Sequence, residues 1–269
     1  MNLRAIADEI IDARRRRRQI APVSGRVAQF DLARAYEVAA LIRDARTRAG
    51  EVSVGRKIGF SNRALWPVFQ VEQAIWGYLY DRTVIRLPAS RGVLSIGSLL
   101  EPRIEPEIVI HLGSAPPREA DAAAVLASID WIAHGFEIVE SIFPRWKFQA
   151  ADTVAACAMH AALAIGEPQT VDRLGTDVMR TLERFAVTLA CDGELRDRGT
   201  GANVLGSPLA AVAHLVAVLA QQSQLEPLAA GEIVTTGTLT FAPAIRPGET
   251  WSTTLDGINL PGLILKLED

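Results

Sequence analysis

Cysteine is scarce in this chain: Cys157 and Cys191 are the only two in 269 residues, far apart and in no metal-binding spacing. A disulfide framework or structural zinc is thereby excluded as the source of stability, and a reduced, cytoplasmic compartment is the simplest setting. No unbroken apolar run reaches the length of a membrane span, and the N-terminus carries charge where a secretory signal would be apolar. Gly-rich dinucleotide and phosphate loops are missing, as is a Gly-x-Ser-x-Gly elbow, so nucleotide binding and triad chemistry lack their signatures. His111, His134, His160 and His214 show no paired metal spacing. Net charge is -3, which argues against nucleic acid as a partner.

What is present is an ordinary globular composition, 49% hydrophobic and 22% charged, enough for a core without staples. The one strong charge run is Arg14 to Arg18. It reads as the solvated C-terminal part of a helix, where cations suit the helix dipole, rather than as a nucleic-acid patch.

Apolar spacing predicts helices over 3–17 and 29–49, joined at Pro22 and Gly25 and stopped by Gly50. Residues 1–50 are thus expected to form a helical arm, and 51–269 a β-rich domain. Strands are predicted over 52–60, 83–87, 103–112, 135–140, 185–191, 195–199, 232–237, 250–255 and 263–267, with 154–165 as a buried strand. Further helices are predicted over 120–133 and 208–220, the latter capped by Ser207. Pro106 inside its strand suggests an edge or a bulge, and Asp192-Gly193 marks a hairpin turn. Many short strands with few helices make an α+β fold.

Glu105 and Glu107, two apart in a predicted strand, emerge on one face. Two carboxylates that close both stay ionised only with a cation between them. Alone, the pair reads more readily as a solvated strand face, since exposed strands often alternate charged and apolar residues. Glu137, in another apolar strand-like run after a helix that returns the chain, shifts the balance towards a site for Mg²⁺ or Mn²⁺. Glu140 competes with Glu137 but would face the other way in a regular strand. Lys57, between Gly55 and Gly59, suits a general acid/base of lowered pKa or an electrostatic partner for an enolate. His134 is expected to be structural.

Several blocks now stand in order: Gly55-Arg56-Lys57-Ile58-Gly59-Phe60-Ser61, Arg103-Ile104-Glu105-Pro106-Glu107-Ile108, Phe136-Glu137-Ile138-Val139-Glu140-Ser141 and Asp152-Thr153-Val154-Ala155. They continue with Gly201-Ala202-Asn203-Val204-Leu205-Gly206-Ser207-Pro208-Leu209, Ala230-Gly231-Glu232-Ile233-Val234 and Thr236-Gly237. From about Ile20 to the C-terminus the set resembles the 2-keto-4-pentenoate hydratase/4-oxalocrotonate decarboxylase family, within the fumarylacetoacetate hydrolase superfamily.

The resemblance implies a rolled, mixed β-sheet of the fumarylacetoacetase C-terminal type, with Mg²⁺ or Mn²⁺ held by Glu105, Glu107 and Glu137. It implies Lys57 as the active-site lysine and Ser61, Ile75, Gly237 and Thr238 at the substrate. The expected activity is hydration of a 2-hydroxy-2,4-dienoate or related 2-keto acid in aromatic catabolism, by a homo-oligomer. The alternatives are 2-keto acid decarboxylation, acylpyruvate hydrolysis, and a binding or assembly subunit without catalysis. Three departures stand out. Ser141-Ile142-Phe143 replaces Ser-Arg-Ile, Val154-Ala155-Ala156-Cys157 replaces Val-Ala-Asp-Asn, and Ala74-Ile75-Trp76-Gly77 replaces a Pro-Asp-aromatic-Gly block. Ile75, Ile142, Ala156 and Cys157 are therefore expected to make the pocket more apolar, with Arg63 or Arg145 as the remaining candidates to face a second carboxylate.

Overall fold

Asn2 and Asp31 each accept a hydrogen bond from a backbone N–H three residues on, that of Ala5 and Arg34, satisfying a donor that a helix start leaves unpaired. Helix α1 (Leu3–Arg15) buries Ile6, Ala7, Ile10 and Ala13, and α2 (Leu32–Arg48) buries Ala35, Tyr36, Val38, Ala39 and Ile42. The computed structural model describes residues 1–69, 71–222 and 225–269. In it α1 ends at Arg15 rather than Arg17, because Arg17 takes a left-handed φ of 52°. The arginine run divides. Arg15 and Arg16 bind Asp12 at the surface, each at 2.8 Å, whereas Arg14 turns inward to Glu140 at 2.8 Å and donates to the His160 carbonyl.

The chain continues through β1 (Ser53–Gly59), α3 (Trp66–Phe69), β2 (Ile75–Tyr80), β3 (Val84–Arg86), β4 (Arg91–Ser95) and β5 (Arg103–Leu112). Next come α4 (Ala122–Ala127), β6 (Ile129–Val139), α5 (Ala150–Ala155), β7 (His160–Ile165) and β8 (Gln169–Thr170). The remainder is α6 (Val178–Arg184), β9 (Ala186–Cys191), β10 (Glu194–Thr200), α7 (Pro208–Gln221), β11 (Ile233–Thr235), β12 (Thr250–Asp256) and β13 (Ile264–Glu268). One sheet follows the path β2-β1-β11-β5-β6-β7-β3, with β8 added to β6; a second runs β10-β9-β12-β13-β4. The pairs β1–β11, β3–β7 and β4–β13 are parallel. The fold is α+β with mixed sheets.

Ile104, Phe136, Ile138 and Ala164 of the larger sheet pack against Leu189, Trp251, Leu263 and Leu265 of the smaller one. His134 pins the two sheets together, its ring nitrogens 2.9 Å from the Glu107 carbonyl and 2.9 Å from the Thr253 hydroxyl. Burial depresses its pKa to about 4, so it is a neutral, structural histidine as expected.

Three local expectations are corrected. The helix predicted over 120–133 is confined to Ala122–Ala127, and β6 starts at Ile129, because pairing along nearly all of β5 outweighs the helix preference of the alanines. Residues 154–165 are not one strand: α5 ends at Ala155, a tight turn spans Cys157–Met159, and β7 starts at His160. A uniformly apolar run carries no period by which helix and strand can be told apart. Pro106 lies in an interior strand rather than at an edge. It is tolerated because β11 has already ended beside it, and the irregular segment that follows meets it there, with Leu239 N–H donating to the Pro106 carbonyl.

Strand register then sorts the side chains. Lys57 pairs with Gly77 and Thr235, Thr235 with Val109, and Glu105 with Glu137. With alternation of period two, Lys57, Ile75, Glu105, Glu107, Glu137 and Thr235 share one face. Trp76, Tyr78 and Tyr80 point the other way, and Trp76 stacks on Tyr36 of α2 at 5.0 Å. Gly77, opposite Lys57, lets the Cys157–Met159 turn lie against the sheet: a Cβ there would sit 2.8 Å from Ala158 Cβ and 3.0 Å from the Cys157 carbonyl. Gly77→Ala is expected to cost about 1–3 kcal/mol, seen as a lower urea midpoint at unchanged m; an unchanged midpoint would show that the turn does not depend on this close approach.

Candidate metal centre

Three carboxylates meet at the centre of that face. Glu105 and Glu137 are direct cross-strand partners, and Glu107 faces Gly135. One oxygen from each of the three lies within 4.8 Å of the others. Glu107 and Glu137 are fully buried and Glu105 is partly exposed. Like charges set directly opposite destabilise a sheet, and burial without a partner makes the arrangement costlier.

The protein satisfies only half of each deep carboxylate. The Gly237 N–H donates to Glu107 Oε2 at 2.7 Å, and His160 Nδ1 lies 2.8 Å from Glu137 Oε1. Glu107 Oε1 and Glu137 Oε2 are buried without a hydrogen-bond partner. The Lys57 ammonium forms ion pairs with Glu137 Oε2 at 3.2 Å and Glu105 Oε2 at 4.0 Å. One cation thus stands against three carboxylates. Two buried oxygens without hydrogen bonds, one of them facing only the Lys57 charge, and a third carboxylate are all hard donors and fit a divalent ion of the magnesium type.

The titration behaviour records the same imbalance. Burial, with the Glu137 charge adding and Lys57 opposing, pushes Glu105 up to about 7. Burial and then the charges of Glu137 and Glu105 hold Glu107 well above the ordinary range. Glu137 is held low: burial works against its charge, but Lys57, the His160 hydrogen bond and Glu107 outweigh it. Burial also opposes the charge on Lys57, yet the three carboxylates outweigh it and keep the amine above its ordinary value. Without a metal, Lys57 is therefore an ammonium of raised pKa; the lowered value expected from sequence belongs to a lysine beside a bound metal.

The site opens into a cleft of about 530 Å³, counted with the solvent space at its mouth. Lys57, Ser61, Ile75, Glu105 and Thr238 line it, together with Phe60, Leu65, Phe69, Trp146 and Phe148. Gly237 lies behind Glu107, not on the cavity wall, and its φ of 97° and contact with Ser61 leave no room for a Cβ. Ile142, Ala156 and Cys157 belong to the core around the helices and do not line the cleft; of the four apolar replacements only Ile75 does. Arg63 and Arg145 are exposed and off its lining. Glu140 faces away, bound to Arg14 and accepting from Leu100 N–H. His160 and Thr83, joined at 2.8 Å, complete the surroundings of Glu137 and had no sequence signal.

Residues 78–260 match the family model for the fumarylacetoacetate (FAA) hydrolase C-terminal domain. The chain belongs to this family and, within it, to the 2-keto-4-pentenoate hydratase/4-oxalocrotonate decarboxylase group. It is 31% identical to a 2-keto-4-pentenoate hydratase of Burkholderia vietnamiensis, over 96% of this chain and 95% of that protein. It is likewise 31% identical to a 4-oxalocrotonate decarboxylase of a Pseudomonas species, over 80% of this chain and 79% of the relative. The solved structure of 4-oxalocrotonate decarboxylase from Pseudomonas putida G7, complexed with magnesium and adipate, superposes with a TM-score of 0.88 at 27% identity, covering 98% of this chain and 97% of that one.

Glu107 supplies a test. Its folded value lies well above the unfolded value near 4.5. Its contribution to stability is therefore complete below that pH and is lost as pH rises towards the folded value. Metal-free Glu107→Gln, which mimics the protonated acid, is expected to exceed metal-free wild type in stability by a margin that widens with pH, at most about 1.4 kcal/mol per unit. Thermal unfolding in EDTA between about pH 5 and pH 8 reads it; a flat margin would show that Glu107 carries no such penalty.

Proposed function

We propose that the protein is a Mg²⁺- or Mn²⁺-dependent lyase that hydrates a 2-hydroxy-2,4-dienoate, the enol of a 2-keto acid, with Glu105, Glu107 and Glu137 as the metal ligands. The observation that carries this reading is the pair of buried oxygens without a hydrogen bond, Glu107 Oε1 and Glu137 Oε2, of which the second meets only the Lys57 ammonium, at the foot of an apolar cleft. The relatives named hydratases and decarboxylases of such acids support it. When bound, the cation supplies Lewis-acid polarisation of the substrate's C1 carboxylate and C2 oxygen.

The chain's own residues do the rest. Lys57 carries its proton at Nζ, on the face where the carboxylates converge, and can deliver it to carbon as the enol becomes the ketone. Its proton is held by the very carboxylates that a cation would neutralise. Loading the site therefore leaves burial, which favours the neutral amine, less opposed, and Lys57 becomes a better acid. Ser61 Oγ, buried and without a hydrogen bond, offers a hydroxyl to the substrate's polar end; the Thr238 hydroxyl donates to the Thr240 carbonyl at 3.0 Å and can only accept there, while the aromatic wall keeps bulk water from the enol. Water adds to the remaining conjugated double bond once the ketone is in place, giving a 4-hydroxy-2-keto acid.

The chemistry is assigned to residues 51–269, with residues 1–50 as a supporting arm, in a cytoplasmic homo-oligomer. Both cysteines are buried and free, in keeping with a reducing compartment. Among the described residues no helix is long and apolar enough to cross a membrane.

A second reading, decarboxylation of a 4-oxalocrotonate-type acid, is favoured by the structural likeness to that decarboxylase and draws on the same polarised 2-keto acid. Incubation with Mg²⁺ and 2-hydroxypenta-2,4-dienoate, followed by NMR, separates the two. Hydratase activity gives the 4-hydroxy-2-keto acid, whereas carbon dioxide release from a 4-oxalocrotonate selects the decarboxylase. Lys57→Met should lower kcat/KM by about 10²–10⁴-fold with Mn²⁺ still bound. Absence of turnover and of solvent deuterium exchange at C3 across several 2-keto acids would overturn both readings and leave a binding or assembly subunit.

A further inference from the structure

His160 owes its position to two irregularities. Cys157, Ala158 and Met159 all have positive φ, at 58°, 51° and 65°, a conformation that is sparsely populated for residues with a Cβ. This turn ends α5 and delivers the chain to β7. There the pairing of β6 with β7 slips: Glu137 faces Leu163 and Ile138 faces Ala162, but Val139 faces His160 rather than Ala161. Without the slip, alternation would put His160 on the face opposite Glu137. The bulge returns it to the face of Val139 and Glu137, as bulges commonly re-aim a side chain.

The imidazole is then fixed at both nitrogens. Nδ1 lies 2.8 Å from Glu137 Oε1 and Nε2 lies 2.8 Å from Thr83 Oγ1. An ionised carboxylate only accepts, so Nδ1 carries the hydrogen and donates it. Nε2 then accepts, and Thr83, in the tight turn Asp81–Thr83 after β2, must donate to it the single hydroxyl hydrogen that would otherwise go to the Tyr80 carbonyl, 2.9 Å away. His160 itself is fully enclosed. With Oε1 occupied by the imidazole N–H, Glu137 is left with Oε2, the orphaned oxygen, pointing to Lys57 and to the other two carboxylates.

The geometry points to His160 as a positioning residue for Glu137: the Thr83–His160 pair holds one carboxylate oxygen so that the other alone is presented to the divalent cation. This rests on the reading of Glu137 as a ligand. A free carboxylate would rotate, present either oxygen or both, and lose part of its affinity to the entropy of being ordered. Partners of ligating groups in other metal sites set affinity in this way.

The test is Mn²⁺ affinity of the full-length protein, read from the electron paramagnetic resonance signal of free Mn²⁺, with metal-free thermal unfolding as the fold control. His160→Leu is expected to weaken Mn²⁺ binding by about 10–100-fold. His160→Asn, whose amide can stand in for the Nδ1–H, should restore binding to within about 3-fold of wild type if the donor is what matters. Thr83→Val keeps the imidazole, loses its anchor and should fall between them, which preserves the test if His160→Leu does not fold. Glu137→Gln separates the two levels of the argument. Loss of Mn²⁺ binding in Glu137→Gln with wild-type affinity in His160→Leu and Thr83→Val would overturn the role of His160 alone. Wild-type affinity in Glu137→Gln would overturn the ligand reading, and the role of His160 with it.

Discussion

Two strands that must pair to close the core bring Glu105 and Glu137 directly opposite each other, with Glu107 one step away on the same face. Everything near them answers that crowding of negative charge. Lys57 enters from β1 as the cation in ion-pair contact, with the Arg103 charge also acting on Glu105; Gly237 and His160 each direct one N–H to one oxygen, and Glu107 is held well above the usual range. The opposite face of the same two strands is ordinary core, with Ile104, Phe136 and Ile138 against the smaller sheet. The carboxylate face carries core of its own farther along, with Val109, Ala133 and Leu163, so the charge imbalance, which a divalent ion would relieve, is confined to one patch of it.

The electrostatics carry a consequence for acid strength. Lys57 and the carboxylates titrate as one group of charges, each setting the others' proton affinity. A cation held by Glu105, Glu107 and Glu137 would act on all of them at once, lowering the carboxylates and weakening the field that holds the Lys57 proton. The aromatic wall of Phe60, Phe69, Trp146 and Phe148 keeps the local dielectric low, which strengthens these couplings compared with a solvated site.

How much was legible in the sequence depended on regularity. Glu105 and Glu107 were readable because period two holds along an unbroken strand, and Lys57 because its strand is framed by glycines. Glu137 meets Glu105 and Glu107 although its strand begins six residues earlier than expected, at Ile129 rather than Gly135, since the alternation that orients it survives the longer strand; the choice of it over Glu140 came from the family resemblance. His160 was not readable. Its orientation depends on a bulge and a left-handed turn, and neither leaves a glycine or a polar period behind. Likewise Ile142, Ala156 and Cys157 replace polar groups in the family blocks yet lie behind the cleft wall, because proximity in a motif does not say which side of a turn faces the ligand. The fold class followed from the density of short strands, while α5 and the turn after it were hidden in an alanine-rich run.

The strand order also decides how the counter-charge reaches the carboxylates. The acidic strands β5 and β6 are neighbours in the chain and pair through local contacts, whereas β1, which carries Lys57, is joined to β5 only through β11. The fit between β1 and β11 is close enough that a Cβ at Gly55 would lie 1.9 Å from the Ile233 carbonyl oxygen. The counter-charge from β1 and the Gly237 N–H that steadies Glu107 thus both reach the acidic strands by way of β11 and the segment after it, so this short stretch joins the two halves of the centre.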